Sequence, residues 1–236
     1  MEKLMVTLRR SVADESWCTR LRSQVGDELL ALGLPGVAVN VRDGAVRDSL
    51  MTLTTLDPPV VAVVSLWTQQ YYGEASQKAL SLLERECELS AAYLVTESVP
   101  MPPPDVIGAR TAGLANVALL RRPEHLDPQT WLTRWHIDHT PVAIATQSTF
   151  GYTQNTVVRA LTPGAPLVSA IVEENFPIEA TRDLHAFFGA ADDADLGDRM
   201  NRMVASTSAF GANEQVDCVP TSRYLLRSPF APEVVV

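Results

Sequence analysis

Cysteine is scarce, with Cys18, Cys87 and Cys218 far apart and odd in number. No Cys-x-x-Cys spacing occurs, so neither a disulfide framework nor a thiolate zinc site organises the chain, and buried free thiols in a reducing, cytoplasmic setting are the expectation. Positive charge is also short: 19 Lys and Arg stand against 28 Asp and Glu, a formal net charge of −9. That balance repels phosphate backbones and anionic lipid, which argues against a nucleic-acid partner. Long apolar runs are missing too. The most apolar stretch, Pro58 to Trp67, is about half of the roughly 20 residues that a helix needs to cross a bilayer, and the start, Met1 to Arg10, alternates like a strand rather than a signal peptide. No membrane segment is expected. Glycine-rich phosphate loops, a Gly-x-Ser-x-Gly elbow and a dinucleotide fingerprint are all absent, and Asp192 to Asp198 lacks calcium-loop spacing.

What the sequence does contain is enough apolar material for a core, 46% of residues, and an internal repeat. Lys3 to Arg10 (KLMVTLRR) matches Asn116 to Arg122 (NVALLRR); both read as strands. Each is followed by a polar break with an N-capping aspartate, Asp14 or Asp127, and then by a helix opening at Trp17 or Trp131. Glycine-led strands follow at Gly36 and Gly151, then third strands at Val60 to Trp67 and Leu167 to Glu173. Second helices are expected at Glu74 to Glu88 and Ile178 to Phe188, the latter trailed by another helical turn around Arg199 to Ala205, and closing strands at Ala91 to Val99 and Val216 to Leu226. The order βαββαβ in each half is the ferredoxin-like unit. The predicted fold is therefore α+β: two ferredoxin-like repeats, residues 1–104 and 105–236, whose open sheet faces pack face to face as an α+β barrel. The boundary lies in the proline-rich segment near Pro104, and Ser228 to Val236 is expected to be a tail or a strand-adding arm.

The second half resembles the EthD family of the dimeric α+β barrel superfamily. The residues that carry this are Leu120-Arg121-Arg122-Pro123, the helix Trp131 to Pro141 with Trp135-x-x-x-His139-x-Pro141 at its centre, Gly151-Tyr152-Thr153-Gln154-Asn155, and Ile171-Val172-Glu173-Glu174-Asn175-Phe176. The resemblance implies a ferredoxin-like fold, a cleft for hydrophobic, often aromatic or polyketide-derived compounds, lyase or cyclase activity in some relatives, haem in other branches, and a homodimer. Aligning the repeats sets Leu21 against Trp135 and Val25 against His139, so the first half lacks the histidine.

His139 is the candidate acid/base for enolisation, dehydration or cyclisation of a hydrophobic, carbonyl-bearing small molecule; the alternative is a buried histidine that fixes the helix to the sheet. Trp135, Tyr152, Gln154 and Glu173 are the candidate pocket residues, with Tyr152 and Gln154 on one strand face by the two-residue period. Of Glu173 and Glu174, one is expected to face the helices and the other the open side of the sheet. No metal site is expected, since His136 and His139 lack further converging ligands. No cofactor is expected either, with haem on His139 or His185 as the alternative. A binding protein without turnover, or a structural protein, remains an open reading.

Overall fold

The computed structural model describes residues 1–230; the strand-adding arm expected at the C-terminus lies outside the described residues beyond Phe230. Eight β-rich segments form strands: β1 (Glu2–Arg9), β2 (Gly36–Val41), β3 (Val60–Thr68), β4 (Leu89–Met101), β5 (Leu114–Leu120), β6 (Gly151–Ala160), β7 (Ala170–Phe176) and β8 (Asp217–Arg227). They close into one antiparallel barrel in the order β1-β3-β2-β8-β5-β7-β6-β4. The first four strands thus sit together as β2-β3-β1-β4, and the last four as β6-β7-β5-β8.

The two sheets do not merely pack face to face, as the sequence reading had it; they join edge to edge. β4 pairs with β6 and β2 with β8, because an unpaired edge leaves backbone donors and acceptors without partners and closure removes both edges at once. The two seams match in register. Asn155 on β6 stands opposite Glu97 on β4, and Asn40 on β2 stands opposite Arg223 on β8. A single chain therefore completes the barrel without a second copy.

Helices cover the outside of the barrel. Asp14 caps α1 (Glu15–Arg20) by accepting from the Trp17 amide, and a π-helical turn (Leu21–Val25) leads into α2 (Gly26–Ala31). The second half repeats this: Asp127 caps α4 (Pro128–Thr133), a π-helical turn (Arg134–His139) follows, and α5 (Thr140–Thr146) continues. Gly26 has a local reason, since a Cβ there would stand 2.6 Å from Leu226 Cδ1 on β8.

The second helical layer corrects the sequence reading. In the first half it is α3 (Glu74–Glu84). In the second, residues 178–188 form only a 3₁₀ turn (Ile178–Thr181) and the short α6 (Leu184–Phe188), and the long helix is α7 (Asp193–Ser208). Indole hydrogen bonds identify the counterpart: Trp17 Nε1 donates to the Glu86 carbonyl just past α3, and Trp131 Nε1 to the Phe210 carbonyl just past α7. The broken run after Pro177 is explained by Gly189, whose left-handed backbone (φ 63°) ends α6 and lets Asp192 cap a new helix.

Each strand buries two faces. On β1, Leu4, Val6 and Leu8 meet Trp17, Leu21 and Leu29 of the helices, whereas Met5 faces the barrel interior with Val63, Tyr93, Val117, Ile171 and Val219. Among the described residues no helix is long and apolar enough to cross a membrane.

Candidate functional site

The helix of the second half places its aromatic and imidazole groups through its π-helical turn. Pro141 opens α5 and has no N–H to give to a carbonyl one turn back, and its ring crowds that carbonyl. The preceding turn is wider by one residue, as it is in the first half where no proline stands, and the Thr140 amide and hydroxyl both donate to the Trp135 carbonyl. Trp131, Trp135 and His139 consequently share the buried face, with the two indole rings 5.3 Å apart and the His139 ring 4.9 Å from Phe210.

Beneath this face lies a cavity of about 260 Å³ between helices and sheet, lined by Trp135, His139, Tyr152, Glu174 and Phe210 together with Asn116. Its floor is set by strand register. Asn116 on β5 and Tyr152 on β6 both stand opposite Glu174 on β7, so three polar side chains sit side by side on one face.

The electrostatics of these groups follow from their burial. His139 Nδ1 is 2.9 Å from Ser206 Oγ, and burial pushes the imidazole down to about 4, leaving it neutral at pH 7. Glu174 is half-buried on the cavity wall and has no hydrogen bond or ion pair with the described residues; burial pushes its carboxyl up to about 7. Burial and then the Glu174 charge raise the phenol of Tyr152 and the thiol of Cys218. Three buried polar atoms on the cavity wall have no partner among the described residues: Trp135 Nε1, Asn116 Oδ1 and Gln147 Oε1. Buried polar groups are ordinarily satisfied, so this wall is chemically incomplete without a ligand or water.

Of the five residues singled out from sequence, the cavity brings together His139, Trp135 and Tyr152. Gln154 shares the helix-facing side with Tyr152 but is spent on structure, its Nε2 donating to Thr140 Oγ1 at 2.8 Å. Glu173 is on the other face, inside the barrel. Its oxygens accept from Lys3 Nζ (3.2 Å), Asn40 Nδ2 (2.8 Å) and Asn155 Nδ2 (3.2 Å). Burial opposes its ionisation, but the Lys3 and Arg223 charges and these hydrogen bonds hold it below the usual carboxylate range. The carboxyl that meets His139's cavity is its neighbour Glu174, which the sequence reading named but did not choose. The signal that would have selected it is the parity it shares with Tyr152 across β6 and β7.

Among the described residues no group of three or more His, Cys, Asp and Glu is placed to hold a metal ion. His185 lies outside the cavity, with Nε2 3.0 Å from Asp193.

No family model matches the sequence, and the search of curated proteins finds no relative. Solved structures do share the architecture. An anthrone oxidase-like protein superposes with a TM-score of 0.52 at 10% identity, over 99% of this chain and 97% of its own. A protein provisionally named chlorite dismutase TA0507 gives 0.51 at 11% identity, over 94% and 95%. A protein from Lactobacillus acidophilus NCFM provisionally named a monooxygenase gives 0.48 at 7%, over 96% of both chains. The first two share this chain's fold, an eight-stranded antiparallel barrel with helices outside it, closed here within one chain.

Proposed function

We propose that the helix-side cavity is a proton-transfer site acting on a small hydrophobic molecule that bears a carbonyl group. The observation that carries this reading is Glu174: a carboxyl without a protein partner, titrating near 7 in an aromatic cavity under a neutral histidine. A base of that strength is half ionised at neutral pH, which is the condition general-base catalysis favours.

In the proposed reaction a C–H proton α to the carbonyl passes to a Glu174 oxygen, giving a neutral carboxylic acid. The electron pair moves onto the carbonyl oxygen as an enolate, for which the Trp135 N–H of the cavity wall would serve as a donor. Return of the proton to a different carbon completes an isomerisation; its transfer to a β-hydroxyl, which leaves as water and restores the Glu174 carboxylate, completes a dehydration. His139 takes a different part from the acid/base role read from sequence. With its affinity for a proton lowered, it serves as a neutral hydrogen-bonding wall held by Ser206. The name of the anthrone oxidase-like neighbour is compatible with an aryl ketone as ligand.

Haem fits poorly. The lining has no Lys or Arg for the two propionates and presents Glu174 instead, and about 260 Å³ lies below the roughly 300–1,000 Å³ of drug-sized sites. No step is routed through it.

We also infer that the halves are two ferredoxin-like repeats and that the second is EthD-like. The equivalent capping aspartates, π-helical turns, indole bonds and seam registers support the duplication. The EthD assignment rests on Trp135-x-x-x-His139-x-Pro141.

The reading is tested by solvent deuterium exchange into the acidic methylene of anthrone. Wild type should accelerate exchange over buffer, and Glu174→Gln should lose about 10²- to 10⁴-fold. Saturable binding without exchange would make this a binding protein, and an unchanged rate in Glu174→Gln would remove the base.

A further inference from the structure

The barrel interior has a second cavity, on the opposite face of β7 from Glu174. One end of the barrel is filled by Met5, Val63, Tyr93, Val117, Ile171 and Val219. The other end opens as a cavity of about 260 Å³ whose walls include Lys3, Trp67, Glu97, Glu173 and Arg223.

The charges in this mouth are not equally satisfied. Lys3 Nζ lies 2.6 Å from Glu97 Oε1 and 3.2 Å from Glu173 Oε1. Glu97 Oε2 accepts from Trp67 Nε1 at 3.2 Å, and the two oxygens of Glu173 accept from Asn155 and Asn40. Glu97 and Glu173 are thus already occupied by donors, and the third carboxylate of the mouth, Asp105, stands exposed at its rim. Arg223 is the exception. It is only 8% exposed, yet its guanidinium makes just two long contacts through Nη1, to the Pro104 carbonyl (3.3 Å) and Thr111 Oγ1 (3.4 Å). No carboxylate of the described residues lies within ion-pairing distance of it, and the cavity is where its remaining donors find room. A guanidinium presents five donors in a planar fork suited to a carboxylate, and leaving such donors unused in a buried site is costly.

The rest of the wall describes the ligand's body. Trp67, buried and with Lys3 Nζ 4.6 Å over its ring, presents what remains of its indole to the cavity, and Pro102, Pro103, Leu225 and Phe230 complete an apolar rim. We propose that the barrel mouth is a second small-molecule site, for a flat, largely apolar carboxylate anchored by Arg223 and stacked against Trp67. It is independent of the helix-side site, so either can fail alone.

The test is titration of the ¹⁵N-labelled protein with 1-naphthoate, reading the tryptophan indole N–H resonances, because Trp67 lines this cavity and Trp135 lines the other. The expected result is a saturable shift of Trp67 with Trp135 unmoved and a Kd below about 1 mM. The neutral 1-naphthamide and the Arg223→Met variant should each bind at least about tenfold more weakly, as loss of a charge-assisted pair implies. Val99→Trp, at a rim position that is 41% exposed, fills the mouth without touching the charges and should also abolish binding; it decides the matter if Arg223→Met does not fold. No saturable shift of Trp67, a shift at Trp135 instead, or equal affinity for the amide or for a folded variant would overturn the proposal.

Discussion

Replacing Glu174 by Gln should change how stability depends on pH more than it changes stability at any one pH. The native carboxyl titrates near 7 against an ordinary value of 4.5, so the folded chain holds a proton that the unfolded chain has released. Raising the pH through that window therefore costs stability. Each unit is worth about 1.4 kcal/mol, which sets an upper limit of about 3 kcal/mol, reduced to the extent that the cavity admits water. His139 works in the opposite sense. Burial lowers it from 6.5 to about 4, so its neutral form is lost, and stability with it, as the pH falls through that range.

The two windows overlap between 4.5 and 6.5. There the folded and unfolded chains hold the same number of protons at this pair, with the proton on the imidazole when unfolded and on the carboxyl when folded. The pair's own contribution in wild type should therefore be nearly flat across the overlap, and each single variant should unmask the other slope. Urea unfolding of wild type and Glu174→Gln, followed by tryptophan fluorescence across that range and above, gives the difference directly. Wild type should lose up to about 3 kcal/mol relative to the variant between pH 4.5 and 7, then level off; for a chain of this size that is roughly 6–12 °C in melting temperature. Parallel curves would refute the burial argument for Glu174.

His139→Gln should show the converse, gaining relative to wild type as the pH falls from 6.5 to 4, with a pH-independent difference counting against a neutral buried imidazole. Lys3→Met should destabilise by about 3 kcal/mol, because it removes the cation that pairs with both half-buried Glu97 and buried Glu173; denaturant unfolding at pH 7 reads this, and a loss below about 1 kcal/mol would show the barrel interior to be well hydrated. Burial raises the thiols of Cys18, Cys87 and Cys218, so a disulfide reagent at pH 8 should react far more slowly with the native chain than with the unfolded one. Equal rates would contradict that burial.

Most of the architecture is legible in local patterns. The capping aspartates and the tryptophans that open each first helix have counterparts in matched hydrogen bonds. The second helix of the second half is misplaced in the sequence reading because Ile178 to Phe188 has a helical composition, while α7, read there only as a turn around Arg199 to Ala205, is polar overall and buries none of its own residues fully. The choice between Glu173 and Glu174 fails for a different reason. Every residue of β7 but the half-buried Glu174 is buried, whichever face it is on, so the alternation that normally separates core from solvent is missing along Ala170–Phe176. Asn116, Lys3 and Asn40 escape notice similarly, since their partners come from strands far away in sequence. Edge-to-edge closure is invisible locally, because it depends on the registers of β4 with β6 and β2 with β8.

The central claim is that a carboxyl in the helix-side cavity exchanges a proton near neutral pH, and a ¹³C NMR titration of the glutamate side-chain carboxyls, with the Glu174 resonance assigned by its absence in Glu174→Gln, reads it directly. The account predicts a midpoint near 7, against the ordinary 4.5; a midpoint at the ordinary value would contradict it and leave the cavity without its base.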